Sequence, residues 1–136
     1  ELCQHLMLAS LELVRRMAAG RKEDLVTRED STFGRVARYI DRHYAEDLSI
    51  EQLARQFYLS PYHLSHIFRQ KTGYSLKQYV LRRRIGEAQM RLVNAQDSVQ
   101  TISEAVGFAD ASYFSRIFSK YVGLTPTEYR KFRIGP

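Results

Sequence analysis

Over residues 98–130, SVQTISEAVGFADASYFSRIFSKYVGLTPTEYR, apolar positions recur with helical period in two short blocks separated by a glycine. Val99, Ile102, Ala105 and Val106 make the first stripe. Ser98 can cap that helix, and Gly107 can end it, because glycine takes the left-handed backbone of a sharp turn without a Cβ penalty. Asp110 is placed to cap a second helix, in which Phe114, Ile117, Phe118 and Tyr121 fall at i, i+3, i+4 and i+7 and so form one buried stripe. The opposite face carries Ala111, Ser112, Ser115, Arg116 and Ser119. Gly123 supplies the stop, and Thr125-Pro126 opens a further helix with a capping box to Glu128. This spacing predicts a helix-turn-helix with an open outer face bearing one arginine, the form that reading a major groove requires.

The same grammar runs through the rest of the chain. Residues 2–19 have Leu2, Leu6, Ala9, Leu13 and Met17 in one row and Met7, Leu11, Val14 and Ala18 in another. So wide an apolar face predicts a helix that packs on a further domain, on a second copy of itself, or on both. Gly20 ends it, and the polar, charge-mixed run GRKEDLVTREDS reads as an interdomain linker. From Ser31 onward, Phe33, Val36, Ala37, Ile40 and Tyr44 predict an amphipathic helix. Ser49 with Gln52 caps the next, IEQLARQF, and Ser60-Pro61 restarts the chain as N-cap and first helical residue. The helix that follows, residues 61–72, sets Leu64, Ile67, Phe68 and Lys71 against Tyr62, Ser65, His66 and Arg69, and Gly73 ends it.

These two stretches are an internal repeat. Ser49, Ile50, Leu53 and Tyr58 map onto Ser98, Val99, Ile102 and Gly107 at an offset of 49. One extra residue in the second turn moves the offset to 50, where Leu64, Ser65, Ile67, Phe68, Gly73 and Tyr79 map onto Phe114, Ser115, Ile117, Phe118, Gly123 and Tyr129. The expected architecture is all-α, with a first helix-turn-helix over about 49–73 and a second over about 98–123. Between them Ser75 and Gln78 open a long helix over about 75–93, with Leu81, Ile85, Ala88 and Leu92 as its stripe. At 1.5 Å per residue its length is roughly 28 Å. That spacer sets two reading helices about one DNA turn, roughly 34 Å, apart.

Charge then narrows the function. Residues 1–30 hold five Lys and Arg against six Asp and Glu, and residues 31–136 hold sixteen against nine, so the basic excess is confined to the second region. A net +7 over about a hundred residues points to a polyanion, most commonly nucleic acid. Cys3 is the only cysteine, which excludes a disulfide framework or a cysteine-rich zinc site within one chain and fits a reducing, cytoplasmic setting. No apolar run approaches the roughly 18–20 residues of a membrane span, and no signal-peptide pattern is present. The chain opens on Glu1 inside a helical pattern, so it reads as part of a longer protein whose remainder is N-terminal. His5, His43, His63 and His66 lack metal spacing with carboxylates, and Cys3 has no positioned base, so no catalytic residue, metal site or cofactor is expected.

With the runs LARQFYLSPYHLSHIFRQKTG and GFADASYFSRIFSKYVGLTPTEYR on the page, the sequence over about residues 33–133 resembles the AraC/XylS family of bacterial transcription regulators. The resemblance implies an all-α domain of two helix-turn-helix units that binds double-stranded promoter DNA and often activates transcription, with RNA polymerase as a further partner. It also implies a preceding sensor and dimerisation domain, to which residues 2–19 would contribute the last helix, with a small-molecule effector and a homodimer on that side. Residues 1–30 then form the end of that domain and its linker, and residues 31–136 the DNA-binding domain. Carried across position by position, it implies base-facing roles for Tyr62, Ser65 and His66 in the first unit and for Ala111, Ser112, Tyr113, Ser115 and Arg116 in the second.

The residues themselves expose most of the same set but leave Tyr113, which aligns with His63, half buried. Arg116 has the fork for guanine O6 and N7, while Ala111 offers only apolar contact with a thymine methyl. Arg69, Lys71, Lys77 and Lys120 lie near the ends of the reading units, where backbone phosphates pass. Arg82, Arg83 and Arg84 point three ways from one helix, so at most two face DNA, and Glu87 is a salt-bridge partner for one. Tyr58 stands at the turn position where the family often has a small residue or glycine, which leaves the shape of the first turn open. Ser103 replaces a small apolar residue, a minor cost if its hydroxyl bonds back to a carbonyl. The rival readings are a protein-interaction module that never touches DNA, and the DNA-binding part of a repair methyltransferase whose catalytic part lies elsewhere.

Overall fold

The computed structural model describes residue 28 and residues 30–135, so the helix expected over residues 2–19 lies outside the described residues. The described residues from 36 onward form one compact unit. Helix α1 includes residues 30–43, and its Val36 and Ile40 are fully buried. Six further helices follow: α2 (Ile50–Gln56), α3 (Pro61–Thr72), α4 (Leu76–Asn94), α5 (Val99–Ala105), α6 (Ala111–Val122) and α7 (Pro126–Ile134). Among the described residues there is no strand.

The boundaries follow from local chemistry. Ser49, Ser60, Ser75, Ser98, Asp110 and Thr125 each accept a backbone N–H of the first turn, which satisfies a donor that the helix itself leaves over. The capping box is complete at Ser75 with Gln78 and at Thr125 with Glu128, whereas α2 keeps only the serine half of the box expected from Gln52. The Thr125 hydroxyl and backbone N–H hold the Glu128 carboxyl below its ordinary value. Gly73 and Gly123 end α3 and α6 in the left-handed conformation.

The repeat holds in three dimensions. Helices α2 and α5 have seven residues each, and α3 and α6 twelve; the connections are residues 57–60 and 106–110, so the extra residue sits in the second turn. Phe68 meets Tyr79 edge-on at 5.2 Å and 71°, and Phe118 meets Tyr129 at 5.5 Å and 72°. The first turn also keeps the form of the second. Tyr58 N–H donates to Arg55 O and Leu59 N–H to Ala54 O, as Gly107 N–H donates to Glu104 O and Phe108 N–H to Ser103 O, which is the Schellman pattern in both places. Tyr58 adopts φ 57° to achieve it, the one non-glycine with positive φ among the described residues.

Helix α4 is the common wall. It packs on α3, α5, α6 and α7, with Leu76 and Val80 buried near its start. Further along, Ile85, Ala88 and Leu92 join Ile102, Val106, Phe108, Phe114 and Phe118 in the core of the second unit. Burial of each of those phenylalanines contributes about 1.5–3 kcal/mol. Ser103, fully buried in that unit, donates to Gln100 O at 2.8 Å and so keeps its hydroxyl satisfied. Lys71 is exposed and lies off the stripe that Leu64, Ile67 and Phe68 bury.

Candidate nucleic-acid interface

Helices α3 and α6 each bury one face and expose the other. On α3, Leu64, Ile67 and Phe68 point inward, while Tyr62 is 81% exposed and lies parallel to the exposed His66 ring at 6.3 Å. On α6, Phe114 and Phe118 are fully buried, and Ser112 and Arg116 are exposed. Ser65, Ala111 and Ser115 lie half-buried at the margins of these faces. The two outer faces therefore offer different chemistry: a flat aromatic pair on one, and small hydroxyls with a single guanidinium on the other.

Tyr113 is half-buried. Its ring lies 5.9 Å from Phe108 and 5.8 Å from the Arg116 guanidinium, so it belongs to the packing of the second unit and braces Arg116 from beneath. Its counterpart His63 is half-buried as well. Phe108 extends the bracing inward through Phe114 at 5.1 Å, so the Arg116 side chain stands on a continuous aromatic support.

A cleft of about 820 Å³ opens between the two helix-turn-helix units. Ser65 of α3 and Arg116 of α6 both border it, which places the outer faces of the two units on a shared concavity. Lys77 borders it too, but Asp47, Glu51 and Asp110 offset the cations there. Exposed cations also stand near the ends of the two helices, Arg69 and Lys71 on α3 and Lys120 on α6.

The arginine triplet of α4 is used inside the protein. Arg82 stacks on Tyr74 at 4.1 Å and on Tyr121 at 4.8 Å. Arg83 pairs with Asp41 at 3.1 Å and Glu87 at 3.3 Å, which raises its already high pKa against the opposing effect of desolvation. Arg84 donates to Tyr44 O and Glu46 O at 2.6 and 2.7 Å, and burial lowers its pKa. In the second half Arg130 donates to Leu92 O, Ala95 O and Asp97 O. Each helix that follows a helix-turn-helix is thus tied by an arginine to the loop that precedes it. The Arg83–Glu87 pair was legible at i,i+4, but the ties to Asp41, Tyr44, Glu46, Ala95 and Asp97 had no signal in the sequence, because those partners lie 33 to 42 residues away.

Residues 53–131 match the family model described as a helix-turn-helix domain. The chain is 37% identical over 119 residues to the arabinose operon regulatory protein of Escherichia coli, covering 87% of this chain and 40% of that protein. It is 33% identical over 96 residues to the bifunctional transcriptional activator/DNA repair enzyme AdaA of Bacillus subtilis, covering 71% and 46%. Among solved structures, the DNA-binding domain of the transcriptional factor AdpA in complex with a target DNA aligns with a TM-score of 0.70 at 26% identity, covering 73% of this chain and 89% of that one. The chain spans less than half the length of the curated relatives it matches.

Proposed function

The chain belongs to the AraC/XylS family of helix-turn-helix transcription regulators, and from that premise we propose that its DNA-binding domain reads two adjacent major-groove segments of promoter DNA with α3 and α6. The observation that carries this reading is the pair of exposed, unlike faces that one compact unit presents beside a shared cleft. The likeness to a domain solved on its target DNA supports it. Tyr62, Ser65 and His66 face one segment; Ala111, Ser112, Ser115 and Arg116 face the other, with Tyr113 at the margin as a brace. Arg69, Lys71, Lys77 and Lys120 contact phosphates.

The full protein, on this reading, is a cytoplasmic activator that answers a small-molecule effector, dimerises through its N-terminal region and meets RNA polymerase at the promoter. It acts by binding and not by catalysis. The AdaA relative supports a second reading, in which a longer protein adds repair chemistry to the same DNA-reading domain. A mobility shift on genomic fragments at two salt concentrations tests the proposal. With six or so phosphates neutralised, affinity should fall on the order of a thousandfold between about 50 and 200 mM salt. Near-constant affinity over that range would remove the nucleic-acid reading and favour a protein-interaction module.

A further inference from the structure

The tails of the two reading helices are joined through one side chain. Tyr74 follows directly on Gly73, the cap of α3, and its position is fixed by Thr72, whose hydroxyl donates to Phe68 O at 2.7 Å and accepts the Tyr74 N–H at 3.0 Å. Tyr121 sits in the last turn of α6 and packs on the core of the second unit. Arg82 of α4 reaches both rings, 4.1 Å from one centroid and 4.8 Å from the other. A second link lies at the turn of the second unit. Gly107 lies so close to Ala45 that an added Cβ would stand 2.7 Å from Ala45 O, and Arg84 ties the same loop through Tyr44 O and Glu46 O while lying over the Phe108 ring.

We propose that Arg82 is a spacing-determining residue: held between Tyr74 and Tyr121, it locks the angle between α3 and α6 and so fixes the separation of the two DNA segments the protein accepts. With two separate links, neither unit can roll about α4 without breaking one of them. The Gly107 link is backbone on backbone and is rigid. The Arg82 link consists of two cation–π contacts, each worth roughly a factor of two to five at an exposed site, so about tenfold together. Each base pair inserted between the segments moves the second about 3.4 Å along the duplex and turns it by roughly 35°. A locked pair of helices meets that shift with a steep loss, and an unlocked pair follows it.

This inference rests on the two-segment reading above, and the test separates the two. The full chain is titrated against duplexes that carry both selected segments with the spacer changed by −1, 0, +1 and +2 base pairs, and against duplexes with single-base changes inside each segment. The native protein should prefer one spacer sharply. Arg82→Ala should lose about tenfold of that preference, with base preferences inside each segment unchanged. Tyr74→Leu, which leaves the contact with Tyr121, should lose about two- to fivefold, the double variant should lose no more than Arg82→Ala alone, and Arg82→Lys should keep part of the effect. Should Arg82→Ala fail to fold by circular dichroism, Tyr74→Leu carries the same test. A folded variant with the native spacer profile, or with an equal loss at every spacer, overturns the proposal, the second outcome making Arg82 a phosphate contact. A native protein without base preference in either segment overturns the two-segment reading itself.

Discussion

Tyr58 holds a conformation that its counterpart Gly107 adopts without strain. Left-handed backbone costs an L-residue roughly 1–2 kcal/mol, and its side chain, 94% exposed, recovers nothing by burial. Tyr58→Gly should therefore stabilise the fold by about 0.5–1 kcal/mol, after allowing for the greater freedom of glycine in the unfolded chain. Gly107→Ala should move the other way by about 2–4 kcal/mol, because it combines the φ of 104° with a Cβ driven into the Ala45 backbone. Urea unfolding of both variants checks the pair; equal and opposite small effects would mean that the close approach at Ala45 relaxes without strain. At this scale the sequence was informative wherever a residue acts on its own backbone. Caps at Ser49, Ser60, Ser75, Ser98, Asp110 and Thr125 and the stops at Gly73 and Gly123 were all legible. The approach of Gly107 to Ala45 was not, because it joins residues 62 positions apart.

The elements are tied by arginine more than by their own propensity. Helices of seven residues such as α2 and α5 are too short to hold alone, and each depends on the helix packed beside it. Arg130 fastens α7 to the end of α4 and the loop after it by three carbonyls, so its loss uncovers several acceptors at once. Arg130→Ala should lower stability by about 2–3 kcal/mol in denaturant unfolding, and Arg130→Lys should restore only a minor part, since a single ammonium cannot span the three positions. Full recovery by lysine would show that charge, and not the planar fork, does the fastening. The apolar period identified the helices, and the match at offsets of 49 and 50 identified the repeat. What the period could not assign was the division of labour within Arg82, Arg83 and Arg84. Three identical side chains 100° apart on one helix differ only in what the fold brings to them, and they received a stack, an ion pair and two carbonyls respectively.

Seen whole, the domain is a repeat of form with two chemically unlike outer faces. The inner faces of α3 and α6 align at the offset of 50, Leu64 with Phe114, Ile67 with Ile117 and Phe68 with Phe118, while the outer faces pair Tyr62 with Ser112, Ser65 with Ser115 and His66 with Arg116, so on the proposed reading the two units prefer different bases. The exposed members of this set were legible because amphipathic helices leave their polar face outward. Tyr113 was harder: family resemblance placed it outward, helical period left it at the margin, and the Phe108 ring decided for partial burial. A monomer built this way should select an asymmetric site, with the guanine preference strongest under α6, where Arg116 alone has a bidentate fork. The most direct measurement is selection of bound fragments from random DNA by the native protein and by Arg116→Ala. The account predicts two unlike segments about one helical turn apart for the native protein. For the variant it predicts a loss of about 1–3 kcal/mol on the best site and a flattened preference in the α6 segment alone, with the Tyr62 segment unchanged. An unchanged motif in both segments after Arg116→Ala would contradict it.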